Sequence, residues 1–323
     1  MLRLKLLKTF QFIGLTKENL SAVNPLHIRK KGTRTKALFA LSLVCILWGT
    51  TWVASKIAVQ QMPALQMAGI RQLIGGFCYM LFFIVKGAKL PGKKDWGPIM
   101  ILCILNFVFS NALSTWGVKY ISAGLASIIG AIFPLWMVVI ALFSKNSMFA
   151  PKAVVGLLFG FGGVCIIFYE HLSDFLIADF RFGIFLSLTA TLTWAFGTLY
   201  TKKHAVNFNP YFSLGLQMFI AGIGLTSFTE FTNLAIPIAD IPWESWAAIA
   251  YLVIFGSILA FVAYLYALQN LATEQVSIYA YVNPMVAVLL GWLIFQEKLT
   301  IFIAVGGLVT LYGVYLVNKS QRA

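Results

Sequence analysis

Apolar residues in this chain come in unbroken blocks, not at the three-and-four spacing of a half-buried helix or in the alternation of a half-buried strand. The blocks cover 37–58, 64–85, 97–118, 122–144, 151–169, 181–201, 210–230, 246–268, 273–295 and 300–318. Each holds about 20 residues, which at about 1.5 Å per helical residue crosses a hydrocarbon layer of roughly 30 Å. Lipid gives the backbone no hydrogen-bond partner, so each block is predicted to be a helix; the strands of a membrane barrel would be shorter and would alternate in polarity. The pattern predicts an all-α integral membrane bundle of ten transmembrane helices.

Composition excludes a water-soluble alternative. Of 323 residues, 60% are hydrophobic and 11% charged, and mean hydropathy is +0.87; a soluble domain carries about 25% charged residues to face its solvent. The net charge of +14 invites a nucleic-acid partner, but the placement of the charges decides against it. With the N-terminus in the cytoplasm, nineteen Lys and Arg fall on the cytoplasmic side and three (Lys119, Arg181, Lys298) outside. Glu170, Asp174, Asp179, Glu230, Asp240, Glu244 and Glu297 all fall outside. This positive-inside bias predicts a multi-pass protein of the cytoplasmic membrane with both termini inside. Residues 1–36 mix cations into their apolar run, Leu2-Arg3-Leu4-Lys5-Leu6-Leu7-Lys8, and lack a small-residue cleavage pattern, so they are read as a retained basic tail. Such a tail either rests on anionic membrane lipids or stays solvated and sets orientation. Residues 319–323 form a short cytoplasmic C-terminal tail.

The chain also resembles itself. Shifted by 150, residues 112–167 lie over 262–317 without a gap, and Ser127, Ile128, Pro134, Val138, Val155, Gly156, Leu158, Gly163 and Val164 meet identical residues. Shifted by 146, Trp48 meets Trp194, Lys56 meets Lys202, Ile74 meets Ile220 and Gly76 meets Gly222. Each half therefore holds five spans: a first repeat at 37–169, an external linker at 170–180 and a second repeat at 181–318. Five is odd, so the second repeat enters the membrane from the opposite side. Inverted repeats can pack in two near-equivalent ways, one open to each side, around a site near the midplane; that is the geometry of alternating access.

These residues resemble a family. The first half reads Leu47-Trp48-Gly49-Thr50-Thr51-Trp52 with Lys56, Pro63 and Arg71; the second ends with Asn283-Pro284, Gly291, Glu297-Lys298-Leu299-Thr300, Gly306-Gly307 and Gly313-Val314. Over residues 37–318 this is similar to the EamA-type branch of the drug/metabolite transporter superfamily. The resemblance implies a ten-helix carrier built from two copies of one module, of a kind that exports amino acids, other metabolites or toxic compounds. One departure is visible: the acidic position that the family often carries in both modules is Glu297 in the second and Ser147 in the first.

Polar groups that a bilayer penalises mark the candidate site. Arg71 lies roughly 10 Å inside the outer end of its span, and Lys56 near the outer end of the first. Together they could gate a substrate carboxylate, with Lys202 as the repeat counterpart of Lys56. The structural alternatives are a snorkelling Lys56 and an Arg71 that ties down backbone carbonyls. Asn106, Asn111, Gln217 and Asn283 should face inward, as substrate contacts or as hydrogen-bonding glue between helices. Pro284 lacks an N–H and so frees a carbonyl beside Asn283. Trp48, Trp116, Trp194, Tyr279 and Tyr281 could wall a cavity, or serve as packing and interfacial residues. The small-residue faces Gly156-x-x-x-Gly160 and Gly306-x-x-x-Thr310 could close a homodimer or pack internally.

Other chemistry finds little support. Cys45, Cys78, Cys103 and Cys165 lie inside spans without C-x-x-C spacing, and His27, His171 and His204 lie away from the midplane, so no metal site, cofactor or enzymatic centre is expected. No Asp or Glu falls inside a span beyond its end residues, which disfavours a buried carboxylate proton relay; Glu274, at the cytoplasmic start of the ninth span, and Glu297, outside, are the nearest candidates. The expected function is a secondary transporter that exports a small amphipathic metabolite, such as an amino acid, by alternating access. The competing functions are a lipid or glycolipid flippase and a drug or toxic-compound efflux carrier.

Overall fold

A computed structural model describes residues 34–142, 151–204, 209–271, 276 and 279–320. The basic segment before Arg34, Ser147, Glu274 and the last three residues lie outside the described residues. The described chain is helical, without strands, and falls into two runs of five helices. The first run is α1 (Arg34–Gln61), α2 (Ala64–Val85), α3 (Lys93–Tyr120), α4 in two pieces (Ala123–Ala131 and Phe133–Leu142) and α5 (Pro151–Glu170). The second is α6 (Ala178–His204), α7 (Pro210–Phe231), α8 in three consecutive pieces (Trp243–Tyr251, Leu252–Leu259, Ala260–Asn270), α9 (Tyr279–Phe295) and α10 (Ile301–Ser320). Helices α1, α2, α3, α6, α7 and α8 are long and apolar enough to cross a bilayer, and four shorter apolar helices occupy the remaining predicted spans. Large apolar side chains such as Phe39, Phe82, Leu158, Phe185, Leu293 and Leu308 stay exposed around the bundle, as a surface bathed in lipid tails requires.

Glycine sets the closest helix contacts. A methyl group on Gly76 would stand 2.3 Å from the Phe219 nitrogen, and one on Gly222 would stand 2.4 Å from the Leu73 nitrogen. Thus α2 and α7 touch backbone to backbone, and numbers fall along one helix as they rise along the other, so the two are antiparallel. Helices α5 and α10 repeat the arrangement: Gly163 lies against Thr310, and Gly313 against Gly160. The small-residue faces on these two helices are therefore used against each other within one chain. Equivalent helices meeting antiparallel is what an inverted repeat demands. The repeats also interlock, since α1 packs on α8 and α9 while α6 packs on α3 and α4.

The helices depart from regularity in matching places. Helix α3 winds as π turns over Cys103–Ala112, and α8, its counterpart, over Leu252–Leu259. Helix α4 breaks at Ile132, two residues before Pro134, whereas α9 runs through the equivalent Pro284 unbroken. The end of the bundle where α1 begins is termed proximal below, and the opposite end distal.

Candidate substrate cavity

Between α1, α2, α3, α4, α6, α8 and α9 lies a cavity of about 180 Å³. Its wall is sorted by polarity. Counted along each helix from its distal end, Ser55, Arg71, Ser114, Thr115 and Ser127 lie roughly 5–10 Å down, whereas Trp48, Trp194, Phe261 and Tyr279 lie roughly 20–27 Å down. Hydroxyls and one guanidinium thus line the distal part, and rings line the proximal part.

Arg71 is 6% exposed. Its Nε donates to Ser257 Oγ at 3.1 Å. Among the described residues no carboxylate lies within ion-pair distance of it, and its two terminal nitrogens have no protein acceptor. Gly256 makes room for the side chain: a methyl group there would stand 2.7 Å from Thr51 Cγ2 and 3.1 Å from Arg71 Nη2. The neighbouring Gln72 spends its amide nitrogen on the Phe107 carbonyl and on Asn111 Oδ1, both at 3.2 Å. Trp48 Nε1 donates to the Gly256 carbonyl at 3.2 Å, and the Tyr79 hydroxyl meets the Ser257 and Ile258 carbonyls at 3.2 and 3.1 Å. All of these carbonyls belong to the two π segments, whose wide turns hold them less firmly than α-helix would.

Asn106 reaches Gln217 Oε1 at 3.5 Å, and its own Oδ1 is buried against Gly197 without a partner. Asn283, with its amide nitrogen turned toward them, donates to the Cys45 carbonyl at 2.8 Å and the Tyr279 carbonyl at 3.1 Å. It therefore both borders the cavity and ties α9 to α1. Gly130 and Ala280, each four residues before a proline and so without that N–H as a helical partner, line the cavity as well.

The two ends of the bundle are held together differently. At the distal end Lys56 Nζ donates to the carbonyls of Val118, Lys119 and Ile121 at 2.8, 3.2 and 2.7 Å, capping the C-terminus of α3. The Glu297 carboxylate accepts from the nitrogens of Ala123 and Gly124 at 2.8 and 3.2 Å, capping the N-terminus of α4. A cation at a helix C-terminus and an anion at an N-terminus both complement the helix dipole, and together they clamp the turn between α3 and α4. Gln66 exchanges two hydrogen bonds with Ile236, and Ser245 donates to the Ala58 carbonyl. At the proximal end the Trp48 ring lies 5.1, 5.0 and 5.2 Å from those of Phe261, Tyr264 and Tyr279, and Tyr279 stacks on Phe133 at 6.5 Å.

Of the residues singled out in the sequence, Trp48, Arg71, Asn106, Asn111, Trp194, Tyr279 and Asn283 are brought together on this wall. Gln217 stands behind it, holding Asn106. Trp116 packs edge-on against Phe182 at 5.1 Å, and Tyr281 packs against the hydrophobic core. Lys56 is spent on the three carbonyls of the α3 terminus, away from the cavity wall. Lys202 lies in the last turn of α6, with its side chain outside the described residues. Sequence reasoning missed Gln72, Gly256, Ser257, Phe261 and most of the wall hydroxyls. Gln72 carried a usable signal, a polar amide inside a predicted span.

The model of the EamA-like transporter family matches the chain twice, over residues 35–169 and 181–319. The chain is 28% identical to the uncharacterized transporter YvbV of Bacillus subtilis, over 91% of this chain and 95% of that one. It is 30% identical to the uncharacterized inner membrane transporter YedA of Escherichia coli, over 79% of this chain and 80% of that one. A solved crystal structure superposes with a TM-score of 0.63 at 16% identity, over 90% of this chain and 100% of that chain, and shares its fold.

Proposed function

The chain belongs to the EamA-like transporter family, and on that premise we propose that it carries a small amphipathic metabolite, such as an amino acid, out of the cytoplasm by alternating access. The observation that carries this reading is the buried Arg71 guanidinium, without a carboxylate partner among the described residues, on the wall of a cavity of about 180 Å³. A buried charge without a counter-ion is costly. A substrate carboxylate would supply that counter-ion, while the proximal rings would take an apolar tail. The volume lies below the roughly 300–1,000 Å³ of drug-sized pockets, which favours a small solute over a drug or a glycolipid headgroup.

The charge bias makes the distal end the outer one. Hydrogen bonds at one end and rings at the other would give each side its own gate, and the inverted repeat would supply the second packing. Outward direction follows from family resemblance; a carrier without a coupled ion runs down whichever gradient it meets. The test is counterflow in proteoliposomes loaded with candidate solutes. Labelled amino acid should accumulate with wild type and fall with Trp48→Ala and Asn283→Ala. Failure of every amino acid and small metabolite to exchange, with a labelled glycolipid moving between leaflets, would replace this reading by the flippase.

A further inference from the structure

Among the described residues the cavity offers a cationic donor, hydroxyls and neutral acceptors, but no anionic one. Ser55, Ser110, Ser114 and Thr115 line it, and among the described residues their hydroxyls and the terminal nitrogens of Arg71 donate to no protein acceptor. Of the amide oxygens, Asn111 Oδ1 accepts from Gln72, Asn106 Oδ1 is buried against Gly197, and Asn283 Oδ1, whose amide nitrogen is committed to the Cys45 and Tyr279 carbonyls, lies roughly 18 Å from the distal end of α9, deeper than Arg71. No carboxylate is found on the wall among the described residues. Resting on the reading of this cavity as a substrate site, we propose that the carrier reads a carboxylate and an apolar tail but not an α-ammonium group, so that its substrates include monocarboxylates lacking an amine.

The geometry of an α-amino acid makes the point sharp. Its ammonium sits on the carbon that bears the carboxylate, so it must enter beside the guanidinium that holds that carboxylate, where like charge repels it. The acceptors left to it there are neutral: hydroxyl lone pairs and the Gly130 carbonyl freed by Pro134, which lies at about the depth of Arg71. The carbonyl freed by Pro284, that of Ala280, lies roughly 10 Å nearer the proximal end, among the rings, out of reach of an α-ammonium. The rings at that end, Trp48, Phe261 and Tyr279, meet the tail instead. Removing the amine therefore removes a desolvation cost and a repulsion while sacrificing no ionic contact among the described residues.

Three probes of one shape separate the possibilities: leucine, isocaproate (leucine without its amine) and isoamylamine (leucine without its carboxylate). Each is added to the purified full-length protein in a thermal-shift assay and as a competitor of labelled-leucine counterflow in proteoliposomes. Isocaproate is expected to raise the melting temperature and to compete at a concentration no higher than unlabelled leucine, isoamylamine to do neither, and Arg71→Gln to lose the isocaproate shift. Leucine exchange that isocaproate does not inhibit overturns this inference and leaves the carrier reading standing. Stabilisation by isocaproate without leucine exchange upholds the inference and overturns the amino-acid reading. Stabilisation by isoamylamine, or by none of the three, overturns it.

Discussion

Lys56 separates a structural clamp from a substrate gate, and Lys56→Met is the perturbation that does so. The ammonium holds three carbonyls at the end of α3, at 2.8, 3.2 and 2.7 Å, where a helix has no N–H of its own to offer them. Methionine keeps the length of the stem and deletes the donor. The loss combines a charge at a helix C-terminus, about 0.3–1 kcal/mol, with hydrogen bonds from a charged group, about 1.5–3 kcal/mol. Part of this is recovered by water, because the site is half-buried, so the expected destabilisation is about 2–3 kcal/mol. At roughly 2 °C per kcal/mol for a chain of this size, the melting temperature in detergent should fall by about 4–6 °C. Lys56→Arg, which keeps the charge and the donors, should recover most of it. The KM for a transported carboxylate should stay within about twofold of wild type, since the ammonium is committed to backbone. An unchanged melting temperature with a selective rise in KM for anionic solutes would refute this and return Lys56 to the gate.

Arg71 should behave in the opposite way: Arg71→Met removes a buried charge that lacks a counter-ion, so the empty carrier should melt at the same or a higher temperature while carboxylate transport is lost. A large fall in melting temperature would make Arg71 structural. Gly76→Ala and Gly222→Ala each drive a methyl group into backbone at 2.3 and 2.4 Å; both should cost about 1–3 kcal/mol in thermal-melt assays, and by similar amounts because the sites are repeat equivalents. Normal stability of either variant would show that α2 and α7 do not pack as described. For orientation, single cysteines at Ser173 and Asn233 in a cysteine-free background should react with an impermeant thiol reagent in intact cells, and one at Lys93 only after permeabilisation. Labelling of position 93 in intact cells would reverse the assignment of the distal end.

The ten-span plan was legible because a bilayer punishes any departure from it, and the repeat was legible because helix-breaking Pro and close-packing Gly recur at fixed offsets. The cavity wall was legible where lipid makes polarity costly, as at Arg71, Asn106, Asn111 and Asn283. It was not legible where polarity costs little. A serine or threonine can return its hydrogen bond to its own helix, as Thr191 does to the Ser187 carbonyl at 2.9 Å, and so leaves no mark against an apolar background. Facing was the other limit. Tyr279 and Tyr281 are about 200° apart around α9, and in a helix apolar all round no pattern says which one meets the cavity. The π segments add a local change of phase that composition does not announce. Trp116, beyond the first of them, meets Phe182 instead of the cavity.

Those irregular segments explain why the cavity lies where it does. A regular helix satisfies its own backbone and has nothing to exchange with a neighbour. Here α3 and α8 carry π turns at matching places, and α4 and α9 carry prolines at matching places, so four helices present loosely held carbonyls around one volume. In this packing Trp48 and Tyr79 hold the carbonyls of the α8 segment, and Gln72 holds one in the α3 segment. All three donors come from α1 and α2, which makes that helix pair the body on which both segments lean. On the alternating-access reading, opening at the distal end would break directional bonds such as those between Gln66 and Ile236, whereas opening at the proximal end would slide rings whose attraction is largely non-directional. On that reading the distal end should therefore respond to loss of a single hydrogen-bonding side chain such as Gln66, and the proximal end to changes of ring volume at Trp48, Phe261 or Tyr279.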